Sequence, residues 1–168
     1  MVDPKELGPG CTGNDAVGAL RIRKFSVPAL PEVASAVRFH AAKMAREIGF
    51  DSEQVGDIEL SVGEAISNAI KYGCAHDSRS RVVIRFHQFS DKFVAEISDC
   101  GCGFDPVEMK CSPSEHLIEG GRGIHFIKSF MDEVSFTFCG GTTVRMTKLL
   151  RSSDERHACK NANSLDVG

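Results

Sequence analysis

Two hydrophobic rhythms alternate along this chain, and their order limits the folds open to it. From residue 32 to residue 73 apolar side chains recur every three or four positions, the period of an amphipathic helix. The stripe Val33, Val37, Ala41, Met44 and Ile48 stops at Gly49, where a helix C-terminus belongs. A second stripe, Val55, Ile58, Val62, Ala65, Ile66, Ala69 and Ile70, follows Asp51 or Ser52 as N-cap and runs to Gly73. Elsewhere the rhythm is that of strands. Residues 20–27 alternate loosely, Leu20, Ile22 and Lys24 against Arg21, Arg23 and Phe25, before Pro28 and Pro31 end the run. Residues 81–89 and 92–98 read as a hairpin through Ser90 and Asp91, and 133–138 with 142–149 as a second one around Gly140 and Gly141. A third helix is predicted over 124–131. The order β-α-α-β-β-loop-α-β-β predicts an α+β, two-layer sandwich: a mixed, mostly antiparallel sheet with helices on one face.

The 168 residues suffice for one core. Residues 1–18 and 151–168 are glycine-rich or polar and read as a flexible leader and tail, leaving 19–150 as the domain. With 42% hydrophobic and 26% charged residues the chain falls outside the disordered class. A formal net charge of -3 supplies no basic field for a phosphate backbone, so nucleic acid is not expected as a partner. No apolar run approaches the ~20 residues of a membrane span, and the first residues lack a signal-peptide core, so a cytoplasmic protein without membrane attachment is expected. Seven scattered cysteines, an odd number, read as thiols.

Three polar clusters carry chemistry. Glu64 and Asn68 stand four apart on the second helix, one turn above the other. An amide oxygen there suits a hard cation such as Mg2+, and a carboxylate suits a general base, although the same pair also fits a solvated helix face. Asp99-Cys-Gly101-Cys-Gly103 ends a strand; paired glycines let backbone approach a flat ligand, and the carboxylate accepts a hydrogen bond from an exocyclic amine such as adenine's. An ordinary glycine turn fits too. Cys100, Cys102, Cys111 and His116 could be soft metal ligands, but the Cys-x-Cys gap departs from zinc spacing. In the third cluster, Glu119-Gly-Gly121-Arg122-Gly123 lies directly before the third predicted helix, where free amides and the helix dipole favour phosphate; a glycine N-cap loop is the plainer reading.

Together these segments resemble the GHKL (Bergerat-fold) ATPase superfamily. Glu64-x-x-x-Asn68 is similar to its N box, Asp99-x-Gly101-x-Gly103-Phe104-Asp105-Pro106 to its first glycine box, and Gly121-Arg122-Gly123-Ile124 to its second. Gly140-Gly141-Thr142-Thr143-Val144 resembles its closing Gly-Thr element. The run from Gly121 to Val134 most resembles the anti-sigma-factor serine/threonine kinases of partner-switching systems. The resemblance implies ATP and Mg2+ as cofactors, with Asn68 holding the metal, Glu64 as base toward an acceptor serine, and Asp99 receiving the adenine amine. It further implies Gly101 and Gly103 for close approach, Gly121 and Gly123 at the phosphates, and Thr142 beside adenine through water. Where relatives often carry a basic residue this chain has Glu119 and Gly120, so a contact to the terminal phosphate falls to Arg122, Lys110 or another residue. The implied partners are an anti-sigma-factor antagonist protein and a sigma factor, and the implied assembly is a homodimer. A nucleotide-gated module that binds partners without phosphorylating them is the alternative. A histidine kinase needs a phosphoacceptor histidine followed by an acid, which His40 in Arg38-Phe39-His40-Ala41 lacks.

Overall fold

The computed structural model describes residues 18–73, 80–99, 116–138 and 141–151, with side chains described from Gly123 onward in the third stretch. Most of the expected leader and tail therefore lies outside the described residues. The elements are β1 (Arg21–Pro28), α1 (Val33–Ile48), α2 (Ser52–Asn68), a π-helical turn (Ala69–Gly73), β2 (Arg81–Gln88), β3 (Lys92–Ser98), α3 (His116–Phe130), β4 (Glu133–Phe138) and β5 (Thr142–Leu149). The five strands form one sheet in the order β1-β2-β3-β5-β4, and every neighbouring pair is antiparallel. The sheet expected to be mixed, mostly antiparallel, is thus antiparallel throughout its described strands.

Local chemistry sets the helix ends. Gly49 adopts φ 107°, and the N–H groups of Gly49 and Phe50 bond back to Arg46 and Ala45, closing α1 in a left-handed cap. One residue later the Asp51 carboxylate accepts the Gln54 N–H at 2.9 Å and starts α2. The two helical stripes then meet the alternating inner residues of the sheet. Val37, Ala41, Ala45, Ile58, Val62 and Ile66 pack over Ile84, Phe86, Phe93, Ala95, Ile97 and Met146 in one buried cluster. Each large side chain enclosed there contributes about 1.5–3 kcal/mol of transfer free energy.

Two sequence expectations need correcting. In β1 the inward residues are Phe25 and Val27, opposite Ile84 and Val82, whereas Leu20 and Ile22 are 71% and 46% exposed. β1 is an edge strand, so its phase is decided by Phe25, whose ring meets Phe86 edge-on at 5.6 Å. Pro28, expected to end the strand, is its last paired residue, as an edge strand allows. The second correction concerns α3, which begins at His116 rather than at 124, so Gly120, Gly121, Arg122 and Gly123 lie within the helix instead of before it. Glycine's low helix propensity makes the run read as a loop, but Gly123 and Ile127 are buried, and packing outweighs propensity.

Two contacts fix how α2 and α3 run past each other. Lys148 on β5 reaches Asp57 on α2 at 2.7 Å and the Phe130 carbonyl at the end of α3 at 2.5 Å. Seven residues along α2, Glu64 touches Gly123, which is seven residues back along α3. The helices are antiparallel, so the C-terminal end of α2 and the N-terminal half of α3 share one end of the molecule.

Candidate functional site

At that end α2 does not close in an ordinary cap. Asn68 is its last α-helical residue, and the chain widens into the π-turn before reaching Gly73. Such turns are rare and recur at functional sites. Gly73 lies against Asp99, the first residue beyond β3: a Cβ built on Gly73 would overlap the Asp99 carboxylate. Only the five residues of the π-turn therefore separate the Asn68 backbone from a backbone in contact with Asp99.

Asp99 is tied to the start of β5 by a reciprocal pair. Its backbone N–H donates to the Thr142 carbonyl at 2.9 Å, and its Oδ1 accepts the Thr142 N–H at 3.0 Å. The carboxylate is half-buried at a junction of the π-turn, β3 and the β4–β5 turn. One turn before Asn68, the Glu64 side chain lies in the seam between α2 and α3, against the Gly123 backbone. The opposite flank of α2 is covered by Arg38 of α1, whose Cδ would stand 2.5 Å from a Cβ on Gly63.

The fold thus gathers Glu64, Asn68, Asp99, Thr142 and Gly123 at one end of the molecule, around the close of α2 and the Asp99–Thr142 junction. Gly101, Gly103, Lys110 and the cysteines of the metal reading lie outside the described residues, as do the side chains of Arg122 and His116. Among the described residues no group of three His, Cys, Asp or Glu side chains forms a metal cluster. His40 is an exposed helix residue with ring contacts to Phe25 and Phe39 at 6.0 and 6.1 Å. Sequence reasoning missed Gly73 and Gly141 as neighbours of Asp99. Gly73 had shown only as the end of an apolar stripe, although a glycine five residues after an expected ligand was the available signal.

The donor set fits a magnesium nucleotide. An amide at a helix end suits a hard cation that keeps most of its ligands as water and phosphate, and the anchored carboxylate suits an amine on a flat base. The glycines bare backbone beside both carboxylates.

An antiparallel two-layer sandwich with these elements in this order is of the GHKL type. The chain belongs to the histidine kinase-like ATPase domain family, whose profile matches residues 27–148. It is 31% identical over 142 residues to the serine-protein kinase RsbW of Bacillus subtilis, covering 80% of this chain and 89% of that one. It is 30% identical over 152 residues to the RsbW of Listeria innocua, covering 85% and 94%. Among solved structures, the RsbU and RsbW domains of Rv1364c from Mycobacterium tuberculosis superpose with a TM-score of 0.58 at 22% identity, over 79% of this chain and 33% of that chain. A blue-light activated histidine kinase of Erythrobacter litoralis superposes with a TM-score of 0.51 at 19% identity, over 77% and 44%. These two structural likenesses speak for the fold alone. No helix among the described residues is long and apolar enough to cross a membrane.

Proposed function

We propose that this chain is an ATP-dependent serine-protein kinase and anti-sigma factor: it phosphorylates a serine on an antagonist protein and, in a partner-switching cycle, sequesters a sigma factor. The observation that carries the reading is the contact of Gly73 with Asp99, which brings the end of the Glu64 and Asn68 helix to the strand junction that holds Asp99 and Thr142. The family supports ATP use, and the relatives' names favour phosphoryl transfer over the alternative of nucleotide-gated binding without chemistry.

In this reading Asp99 accepts the adenine amine, with Thr142 beside it and Gly101 and Gly103 admitting the ring. Gly121 and Arg122 serve the phosphates, while Gly123, packed against the Glu64 side chain, seats the base. Asn68 would hold Mg2+, which when bound neutralises phosphate charge. Glu64 accepts the proton of the serine hydroxyl as its oxygen bonds to the terminal phosphorus. The bond from that phosphorus to the bridging oxygen breaks, and ADP leaves with the electron pair. Positioning supplies most of the catalysis in such transfers. A homodimer in the cytoplasm completes the proposal, and light scattering of the purified chain tests the assembly.

The decisive experiment follows labelled γ-phosphate from ATP to a candidate antagonist protein. Glu64→Ala is expected to cut transfer roughly 100-fold or more while ATP affinity changes by less than about twofold, because a general base contributes on the order of 10²–10⁴ to rate. ATP binding without transfer in the wild-type chain would favour the nucleotide-gated binder.

A further inference from the structure

Backbone closes around Asp99 from three sides. The Thr142 N–H holds Oδ1 at 3.0 Å. Gly141, at φ 146°, lies so near that a Cβ on it would overlap the Asp99 carbonyl oxygen. From the helical layer comes Gly73, where a Cβ would overlap the Asp99 Cγ and Oδ2 and stand 2.5 Å from its Cβ. The two glycines differ in what they require. Gly141 occupies a conformation that L side chains rarely adopt, whereas Gly73 lies outside the positive-φ range and its backbone would accept alanine. What excludes a side chain at position 73 is the Asp99 carboxylate itself. That carboxylate has little freedom to yield, because its stem is short, its Cβ is part of the overlap, and Oδ1 is held by Thr142.

We propose that Gly73 is a positioning residue for base selection. The missing side chain lets the end of α2 close onto Asp99 and sets the depth and direction of the carboxylate, so that the site reads a 6-aminopurine nucleotide over a 6-oxopurine one. The inference rests on the ATP reading above and deepens it. A carboxylate offers only acceptors, which match an amine and oppose a carbonyl oxygen, and a hydrogen bond of this kind discriminates only while its direction is fixed. A displaced carboxylate loses the amine without gaining the carbonyl.

Gly56 supplies the internal control. It lies on the same helix as Asn68, has nothing within 4 Å of its built Cβ, and should accept alanine without consequence for the site. The experiment titrates the full chain with ATP and with GTP, both in Mg2+, in wild type, Gly73→Ala, Gly56→Ala and Asp99→Glu, with circular dichroism reporting the fold. Wild type and Gly56→Ala should prefer ATP equally. Gly73→Ala should weaken ATP binding about tenfold or more and GTP binding by less than about threefold, collapsing the preference, since a fixed donor–acceptor match is what the site loses. Asp99→Glu pushes an extra methylene into the same gap and should lose ATP as heavily. A folded Gly73→Ala with the wild-type ratio of ATP to GTP affinity overturns the inference. If Gly73→Ala does not fold, Asp99→Glu decides: ATP affinity within about threefold of wild type overturns it, because a closed gap does not admit the longer side chain. Wild type binding neither nucleotide overturns the ATP reading, and this inference with it.

Discussion

Glu64 keeps its carboxylate against the backbone of α3 because position 123 carries no side chain: a Cβ there would overlap the Glu64 Oε1. The sequence expectation gave Gly123 to a phosphate, and the two assignments lead to different kinetics. If Gly123 seats the base, Gly123→Ala displaces Glu64 and lowers kcat of serine phosphorylation by about 10- to 100-fold, with ATP affinity within about threefold of wild type, as misplacing a reacting group by about 1 Å does. If it holds phosphate, ATP affinity falls first. The packed contact favours the kcat loss, and single-turnover transfer measured beside an equilibrium ATP titration separates the two. At this scale the sequence was informative about chemical type and silent about contact. Spacing puts Glu64 and Asn68 on neighbouring turns, but nothing in the chain between residues 73 and 99 announces that Gly73 will touch Asp99, because that neighbourhood is made by tertiary packing.

Elements were legible where one period ran unbroken. The α1 stripe with Gly49 behind it and both hairpins stand in the structure within a residue or two of expectation, and α2 begins as expected after Asp51, with its last five expected residues turned π-helical. The phase of β1 and the start of α3 were not, for physical reasons. An edge strand with charged residues on both faces has no strong alternation to read, and a glycine-rich helix depends on burial that only its neighbours supply. The tie between elements was equally hidden. Lys148 joins β5 to Asp57 of α2 and to the Phe130 carbonyl, satisfying a carbonyl that the end of α3 leaves open and placing a cation at the negative end of its dipole. The ammonium is nearly enclosed, with Asp57 more exposed. Lys148→Met is therefore expected to cost about 2 kcal/mol, less than a fully buried pair, and to lower Tm by roughly 8 °C in a domain of this size. Thermal unfolding followed by circular dichroism checks this. An unchanged Tm would show that the pair contributes nothing to the packing of α2 and α3, and Asp57→Asn in the Lys148→Met background should then cost as much as it does alone.

Across the whole molecule the two faces of the sheet do different work. One is covered by the helices, while the other carries a row in register across all five strands, four charged residues, Lys24, Arg85, Glu96 and Arg145, ending at Ser135. Arg145 pairs with Glu96 at 2.6 Å, and Arg85 stands 3.7 Å from the same carboxylate. His87, on the adjoining row opposite Ile22 and Val94, is 7% exposed, and neither ring nitrogen has a hydrogen-bond partner among the described residues. Burial pushes its pKa below the ordinary histidine value; Glu96, 3.8 Å away, pulls it up, and Arg145 and Arg85 push it further down. The folded protein thus resists protonation at a pH where the unfolded chain accepts it. Above the unfolded value of 6.5 both states hold a neutral ring and His87 adds no pH dependence. As pH falls below that value the unfolded state binds the proton first, so stability declines until the folded-state pKa is passed, with a slope no steeper than about 1.4 kcal/mol per pH unit for one proton. Urea unfolding of wild type and His87→Asn at pH 7.5, 6.5 and 5.5 measures this, at roughly one-unit steps chosen to bracket the transition. The wild type should lose stability between the two lower values while His87→Asn changes less over the same interval. Equal slopes would mean that the charged row, with Glu96 at its centre, holds the imidazolium as well as the neutral ring, and that the outer face tolerates a charge despite the burial of His87.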